Sequence, residues 1–306
     1  MFKLLDVLLH RLVRSGALTV IDARGGLHHY GQQCGTPRVC VKLMDARIER
    51  HLAVDPELAL GEGYTDGRVV MVEGRIYDLL ALLLSNARST RIPGWTLTAS
   101  TSRYLLRRLK QFNPRSRSVR NVAHHYDIKG AIYDLFLDRD RQYSCAYFTP
   151  GAELEEAQLA KKRHLAAKLC LSDGQRVLDI GSGWGGLGLY LAKAADCEVT
   201  GITLSQEQHR VSNARAAKAG LARNVRFLFE DYRDLSGTFD RIVSVGMFEH
   251  VGVNHYVTYF RRIRELLAQD GVAVIHTIGR ADVPCATNPF IDRYIFPAVT
   301  FPRCRR

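Results

Sequence analysis

The densest run of chemistry-bearing residues is Val177-Leu178-Asp179-Ile180-Gly181-Ser182-Gly183-Trp184-Gly185-Gly186. An apolar stretch runs into an acid, then a set of glycines, then a helical pattern from Leu187 to Ala195. Glycines let a backbone turn sharply and approach a ligand, and a helix N-terminus behind them offers unpaired N–H groups to a negative group. A tight strand-to-helix turn without a ligand would read the same way. The order Asp-x-Gly-x-Gly-x-Gly departs from the dinucleotide fingerprint, which places an acid at the end of the next strand. Here that strand ends Gly201-Ile202-Thr203-Leu204-Ser205, with no carboxylate. A third apolar run leads into Glu230-Asp231-Tyr232-Arg233, where an acid taken alone is more often a helix cap.

The elements that must position these residues alternate. Apolar strands are expected at 176–180, 198–203, 225–230, 241–245 and 272–277, with helices at 187–195 and 205–219. Such alternation implies a mostly parallel sheet covered on both faces, and ligands of open α/β sheets sit at the carboxyl ends of the strands. The first part of the chain reads differently. Met1 to Val13 is amphipathic, Arg38 to Leu43 suits a half-exposed strand, Asp55-Pro56 and glycines 61, 63 and 67 suit turns, and Val72 to Ser85 suits a buried helix. Arg103, Arg107, Arg108, Lys110, Arg115, Arg117 and Arg120 then interleave with Tyr104, Leu105, Leu106, Leu109 and Phe112. That segment fits an anionic lipid surface or a solvated linker helix, and Asn113-Pro114 marks the boundary between domains 1–115 and 116–306.

Bulk properties narrow the partners. The 306 residues carry 43 Lys+Arg against 31 Asp+Glu, a net charge of +12, which asks for nucleic acid or an acidic membrane surface without choosing between them. With 46% hydrophobic and 24% charged residues the chain is of ordinary globular composition. No apolar run reaches the ~20 residues that span a bilayer. Lys3, Asp6, His10 and Arg11 make the start a poor secretory signal. The seven cysteines (34, 40, 145, 170, 197, 285 and 304) have no CxxC spacing. They read as free thiols in a reducing compartment and speak against a disulfide or zinc framework.

The glycine motif resembles the S-adenosylmethionine loop of class I methyltransferases, in which Asp231 would accept a hydrogen bond from the adenine amine with Tyr232 beside the ring. Further segments occur in order: Asn121 to Asp127 (NVAHHYD), Tyr143 to Phe148 (YSCAYF), Gly201 to Ser205 (GITLS), Ser244 to Gly252 (SVGMFEHVG) and His276 to Gly279 (HTIG). Together they resemble the cyclopropane-fatty-acyl-phospholipid synthase family, densely from Asn121 to Pro297. Leu60 to Tyr64 and Asp66-Gly67 resemble that family's smaller N-terminal domain.

The resemblance implies an α/β fold, a Rossmann-like class I methyltransferase sheet, with a smaller N-terminal α+β domain associated with lipid. It implies transfer of a methylene group from S-adenosylmethionine to the cis double bond of an unsaturated phospholipid acyl chain. Attack by the alkene leaves a carbocation-like centre, and a base must then take a proton from the transferred methyl. In the family a bicarbonate ion is thought to be that base, and its ligands carry over to Cys145, Glu249, His276 and Ile278. An anion beside Glu249 requires a proton shared between the two. Rings such as Tyr147 are expected to stabilise cationic character through their faces. Cofactor contacts carry over to Tyr143, Ser144, Gly181, Gly183, Thr203, Gln208 and Tyr232, joined by Asp179, Gly185 and Asp231 of the motifs above. Gln208 falls where the family binds the ribose region, in place of the missing acid. No thiol nucleophile is needed, because the chemistry has no covalent acyl step.

The match stops after Asp292 to Pro297. The family continues Gly-Gly-Tyr-Ile-Pro-Ala-Leu-Ser-Glu, whereas this chain reads Ala298-Val299-Thr300-Phe301-Pro302-Arg303-Cys304-Arg305-Arg306. Loss of one nucleotide from codons for the family segment produces these residues, so a frameshifted, truncated reading is expected; the alternative is a natural short variant with a basic tail. On the first reading the last strands of the sheet are missing, residues 272–277 become an exposed apolar edge, and catalysis is weak or absent while S-adenosylmethionine binding survives. A different fate of the cation would give methyl-branched fatty acids. The expected partners are an unsaturated phospholipid membrane surface and a second copy of the chain, with no nucleic acid, at the cytoplasmic side of the inner membrane.

Overall fold

Leu18 and Val20 are buried on β1 (Ala17–Ile21), and Val39, Val41 and Leu43 on β3 (Arg38–Leu43), so alternate side chains of a small sheet share one apolar face. The computed structural model describes residues 2–32, 38–87, 101–105, 130–281, 286–296 and 299–302. It divides into two units, Met1–Arg107 with Cys285–Ile295, and Arg108–Pro284 with Phe296–Arg306.

In the smaller unit β2 (Leu27–Gly31) and β4 (Val69–Glu73) complete the order β2-β1-β3-β4, with β1 and β3 parallel and the other pairs antiparallel. Leu5, Leu8 and Leu9 of α1 (Phe2–Leu12) and Leu79 and Leu82 of α4 (Ile76–Ala87) cover the apolar face. Asn86 ties the two helices together, its buried Oδ1 accepting from the backbone of Arg14 at 2.9 Å and Ser15 at 3.0 Å. Asp45 caps α2 (Ala46–Val54) by accepting from the amides of Arg47 and Ile48.

Three expectations are corrected here. Arg38–Leu43 is an interior strand, with Val39, Cys40 and Val41 all buried, because β1 and β4 flank it on both sides. Gly61 and Gly63 lie inside α3 (Pro56–Thr65), which Pro56 starts with its helix-compatible φ. A Cβ at Gly63 would meet Ile48 at 2.7 Å and Val69 at 2.8 Å, so this glycine buys close packing; the turn is made by Gly67, at φ +70°. The helix expected at 72–85 is β4 followed by α4, and Tyr77, Leu80 and Leu84 of α4 are exposed. Of the basic segment, Arg103 pairs with Asp55 at 2.9 and 3.0 Å. Its continuation from 106, the domain boundary and Asn121 to Asp127 lie outside the described residues.

The larger unit holds five parallel strands in the order β7-β6-β5-β8-β9: β5 (Arg176–Ile180), β6 (Glu198–Thr203), β7 (Val225–Phe229), β8 (Phe239–Val245) and β9 (Leu267–His276). Val177 and Leu178 are both fully buried yet point to opposite faces, as the twofold pleat of a strand requires. Val177 joins Val199, Phe227 and Val243 under α5 (Leu154–Leu169), α6 (Gly186–Ala194) and α7 (Gln206–Lys218). Leu178 joins Ile180, Ile202 and Ile242 under α8 (Tyr256–Leu266). Two covered faces explain the near-continuous apolar strands. This is the expected α/β methyltransferase-type sheet. Among the described residues β9 pairs only with β8 and is half-buried.

Candidate active site

Strand order reverses at β5, because β6 lies on one side of it and β8 on the other. Loops leaving the carboxyl ends of those strands part there and leave a crevice. A cavity of about 180 Å³ occupies it, with Asp179 near the end of β5, Gly181 and Gly183 after it, Thr203 at the end of β6, Asp231 and Tyr232 after β7, and Gly246 and Met247 after β8 along its wall.

The loop after β5 folds back because Gly181 and Ser182 both give their amides to the Ile202 carbonyl, at 3.0 and 2.9 Å. Gly181 and Gly185 sit at φ +83° and +82°. A Cβ at Gly185 would lie 2.6 Å from Phe227 and 2.8 Å from Ser212, so that position admits α6 against β7. Gly185 is not on the cavity wall, unlike the other predicted cofactor contacts.

Asp179 is 2% exposed, and its Oδ2 has no hydrogen-bond partner among the described residues. Burial pushes its carboxyl up to about 7, and Lys161 pulls the other way. Thr203 donates its hydroxyl to Oε1 of buried Gln208 at 2.7 Å, which leaves the Gln208 amide NH₂ as the end available to a ligand. Ser205 caps α7, accepting from the Gln208 amide. Asp231 is held by Arg233, from Nε to Oδ1 at 2.8 Å and from a terminal nitrogen to Oδ2 at 2.6 Å, so any ligand amine would share this carboxylate with the guanidinium. The same guanidinium lies over the Tyr232 ring at 5.6 Å. Tyr143 stacks on Phe296 and meets Tyr133 edge-on, and burial raises its phenol. Ser144 is beside it on the wall.

The second predicted set is placed differently. Cys145, Glu249, His276 and Ile278 do not line this cavity. Glu249, 2% exposed in a turn after β8, accepts the Ile278 amide on Oε1 at 2.7 Å, while its buried Oε2 has no partner among the described residues. His276, at the end of β9, likewise has an unpartnered buried Nδ1. Burial lowers its imidazole, opposed by nearby Glu249 and aided by Lys161. Three of the four residues are therefore brought together, with two buried polar atoms that lack a hydrogen-bond partner among the described residues. The Ile278 amide, expected to face that guest, is spent on Glu249, and Cys145 is exposed. The Tyr147 ring, expected to face a cation, is stacked on His164 at 4.9 Å and half-exposed. Thr300 donates its backbone N–H to the Glu249 carbonyl at 2.8 Å.

Residues not singled out from sequence also belong here. Arg141, Gln142, Trp184 and His250 are on the wall, and Lys161 sits behind it, giving its Nζ to Ser144 Oγ at 2.7 Å. A signal for the last was available: the buried stripe of α5, namely Ala157, Gln158, Lys161, Lys162, Leu165 and Leu169, puts two lysines at helix-core spacing.

Comparisons with known proteins agree with this architecture. Residues 113–306 match the family model described as mycolic acid cyclopropane synthetase. The chain is 36% identical over 272 residues to Cyclopropane-fatty-acyl-phospholipid synthase of Escherichia coli (strain K12), covering 89% of this chain and 69% of that one. It is 45% identical over 185 residues to Probable fatty acid methyltransferase of Pseudomonas putida, covering 58% of this chain and 47% of that one. The crystal structure of mycolic acid cyclopropane synthase CmaA1 complexed with SAH and CTAB superposes with a TM-score of 0.57 at 33% identity, covering 63% of this chain and 72% of that one. With more than half of its length matched and the sheet, loop and cavity in place, the chain belongs to the mycolic acid cyclopropane synthetase family of S-adenosylmethionine-dependent methyltransferases.

Proposed function

We propose that this chain transfers a methylene group from S-adenosylmethionine to the cis double bond of unsaturated phospholipid acyl chains, forming cyclopropane fatty acids. The observation that carries the reading is a switch-point cavity lined by nine of the ten residues expected to hold the cofactor, with buried Glu249 in the turn after β8 and half-buried His276 at the end of β9 close enough to interact electrostatically. The similarity over 89% of the chain to a synthase acting on fatty-acyl phospholipids, and the SAH in a solved relative, support the substrate and cofactor.

Bound S-adenosylmethionine supplies an electrophilic sulfonium methyl. The chain's own residues do the rest. Asp179 and Gln208 offer a carboxylate and an amide NH₂ to the polar parts of the ligand, and Tyr232 and Trp184 supply ring walls. Leu187, Ile202, Met247 and Val251 keep the cavity apolar, which matters because an alkene attacks only when held close in a site with little water. Burial lowers the His276 imidazole, which favours its neutral form with one ring nitrogen free to accept a proton, and burial keeps Tyr256 protonated by pushing its phenol up to about 12. A bicarbonate ion, if held by His276 and Glu249, would supply a base for the methyl proton; the Ile278 amide as placed is not available to it.

The membrane is the proposed partner, approached from the cytoplasmic side. Leu4 and Val7 of α1 and Tyr77, Leu80 and Leu84 of α4 are exposed apolar side chains on two helices that pack together, and Lys3, Arg11, Arg14 and Arg75 are exposed beside them. Apolar contacts ringed by cations suit an anionic lipid surface. No described helix is long and apolar enough to cross a membrane. The similarity to a fatty acid methyltransferase favours a second product, a methyl-branched chain, reached when a neighbouring carbon instead of the methyl loses the proton.

The test incubates the purified chain with S-adenosylmethionine and vesicles of cis-unsaturated, anionic phospholipid, and reads the lipids by mass spectrometry. Lipid heavier by one CH₂ and resistant to alkene-specific reagents bears out the synthase reading, and cofactor binding without product is the impaired-catalysis outcome. A product of the same mass that still reacts as an alkene selects the methyl-branched reading. No heavier lipid and no S-adenosylhomocysteine would overturn both. Salt-sensitive cosedimentation with those vesicles, and none of comparable strength with duplex DNA, is the expected partner result.

A further inference from the structure

Helix α5 carries two lysines side by side in its buried stripe, and they are treated differently. Lys162 is paired with Asp140 at 2.6 Å, and Asp140 also receives Arg215. Lys161 is 3% exposed and has no carboxylate within 4.0 Å among the described residues. Its one described hydrogen bond runs from Nζ to Ser144 Oγ at 2.7 Å. One turn earlier, Gln158 Nε2 donates to the carbonyls of Gln142 at 3.1 Å and Ser144 at 3.0 Å, so α5 holds the backbone of this loop as well as its serine hydroxyl.

Two consequences follow from chemistry. A lysine ammonium only donates, so Ser144 Oγ must be the acceptor, and the serine's own proton points to some other acceptor. Ser144 lies on the cavity wall, where a ligand would be that acceptor. A buried cation whose carboxylates (Asp138, Asp140 and Asp179) all lie beyond 4.0 Å is also costly, and an anionic ligand group nearby reduces the cost. We propose that Lys161 is the positioning residue for the carboxylate end of the cofactor, holding Ser144 as a donor toward that carboxylate and supplying the positive charge behind it. This rests on the cofactor reading given above. It adds a specific residue, a specific ligand group and a charge requirement.

The groups around Lys161 make a competing role testable. Asp138 and Asp140 from the preceding loop, Lys162 on its own helix, the Cys145 thiol, Asp179 on β5 and His276 on β9 all interact with it electrostatically. If Lys161 served only as counter-ion to Asp179, its loss would disturb the whole cavity and not one end of the ligand.

The experiment measures binding by calorimetry, not turnover. Wild type, Lys161→Met and Lys161→Arg are titrated with S-adenosylhomocysteine and with methylthioadenosine, which keeps the adenosine and thioether and lacks the amino acid end. Lys161→Met is expected to weaken S-adenosylhomocysteine about 10- to 100-fold, the range for a charged hydrogen bond, and to leave methylthioadenosine unchanged. Lys161→Arg is expected to restore most of the loss, and Ser144→Ala to show a smaller loss with the same selectivity. Burial brings the Lys161 ammonium down to about 8. Wild-type affinity for S-adenosylhomocysteine should therefore fall as pH rises above that value, where the free protein loses the charge, and the arginine variant should lack this extra fall. Equal loss of both ligands in Lys161→Met, or loss of neither, overturns the proposal while leaving the cofactor reading intact. Wild type that binds neither ligand overturns the cofactor reading and the proposal with it.

Discussion

Replacing Asp179 by Asn should make the ligand-free protein more stable at neutral and alkaline pH. The carboxyl is 2% exposed with Oδ2 unpartnered, and burial pushes it from 3.8 up to about 7. An acid whose folded value is raised contributes stability that is fully present below 3.8 and lost as pH rises through about 7. The shift is about three units, and at about 1.4 kcal/mol per unit it amounts to about 4 kcal/mol between the two extremes. Roughly two of those units fall between about pH 5 and pH 8, or about 3 kcal/mol, and relaxation around a real buried charge reduces this to on the order of 2 kcal/mol. Urea unfolding of wild type and Asp179→Asn at both pH values isolates the term, since every other titrating group is common to the two proteins. The variant's advantage should grow by about 2 kcal/mol on going from pH 5 to pH 8. Its affinity for S-adenosylhomocysteine should fall at least tenfold, because the carboxylate that burdens the fold is the one the ligand uses. An advantage that is absent, or equal at the two pH values, would refute the reasoning.

Other expectations separate packing from chemistry. Gly185→Ala brings a Cβ within 2.6 Å of Phe227 at a left-handed φ and should cost about 2–4 kcal/mol in urea unfolding. Gly183→Ala, also left-handed but with nothing within 4 Å, should cost only about 1 kcal/mol. Asp140→Ala strands both Lys162 and Arg215 and should destabilise by about 3 kcal/mol, with Asp140→Asn recovering part of it in the same assay. Glu249→Gln keeps an acceptor for the Ile278 amide, so the fold and S-adenosylhomocysteine affinity should hold while lipid product falls about 100-fold or more; unchanged product would remove Glu249 from the chemistry.

Much of the larger unit was legible in the chain because its signals are local. β5, β6 and β7 lie within one residue of their expected positions and β8 begins two residues early, whereas β9 begins five residues early, through the polar Gln269-Asp270 that no apolar run marks. The glycines after β5 advertise the left-handed turns they make, since few other residues adopt them. The ordered motifs carried the family and most of the cavity wall. In the smaller unit local signals misled: glycine and proline at 56–63 read as turns, yet Pro56 opens a helix and Gly63 lets it close on Ile48.

What only the tertiary structure decided depends on segments far apart in the chain. Whether Arg38–Leu43 is an edge or an interior strand turns on β4, which no local pattern of that strand reports. Glu249 meeting the Ile278 amide joins the end of one parallel strand to the end of the next, across the helix between them. Lys161 was not singled out from the sequence. Its burial behind Ser144 arises because α5 packs on the sheet with that face inward, where a cation is costly and is answered only by carboxylates beyond 4.0 Å until a ligand charge arrives. Periodicity specifies which elements form, because backbone geometry is set within a few residues. The value of a charge or a hydroxyl is set by the solvent it loses and the partner it gains, and both come from the packing of distant elements.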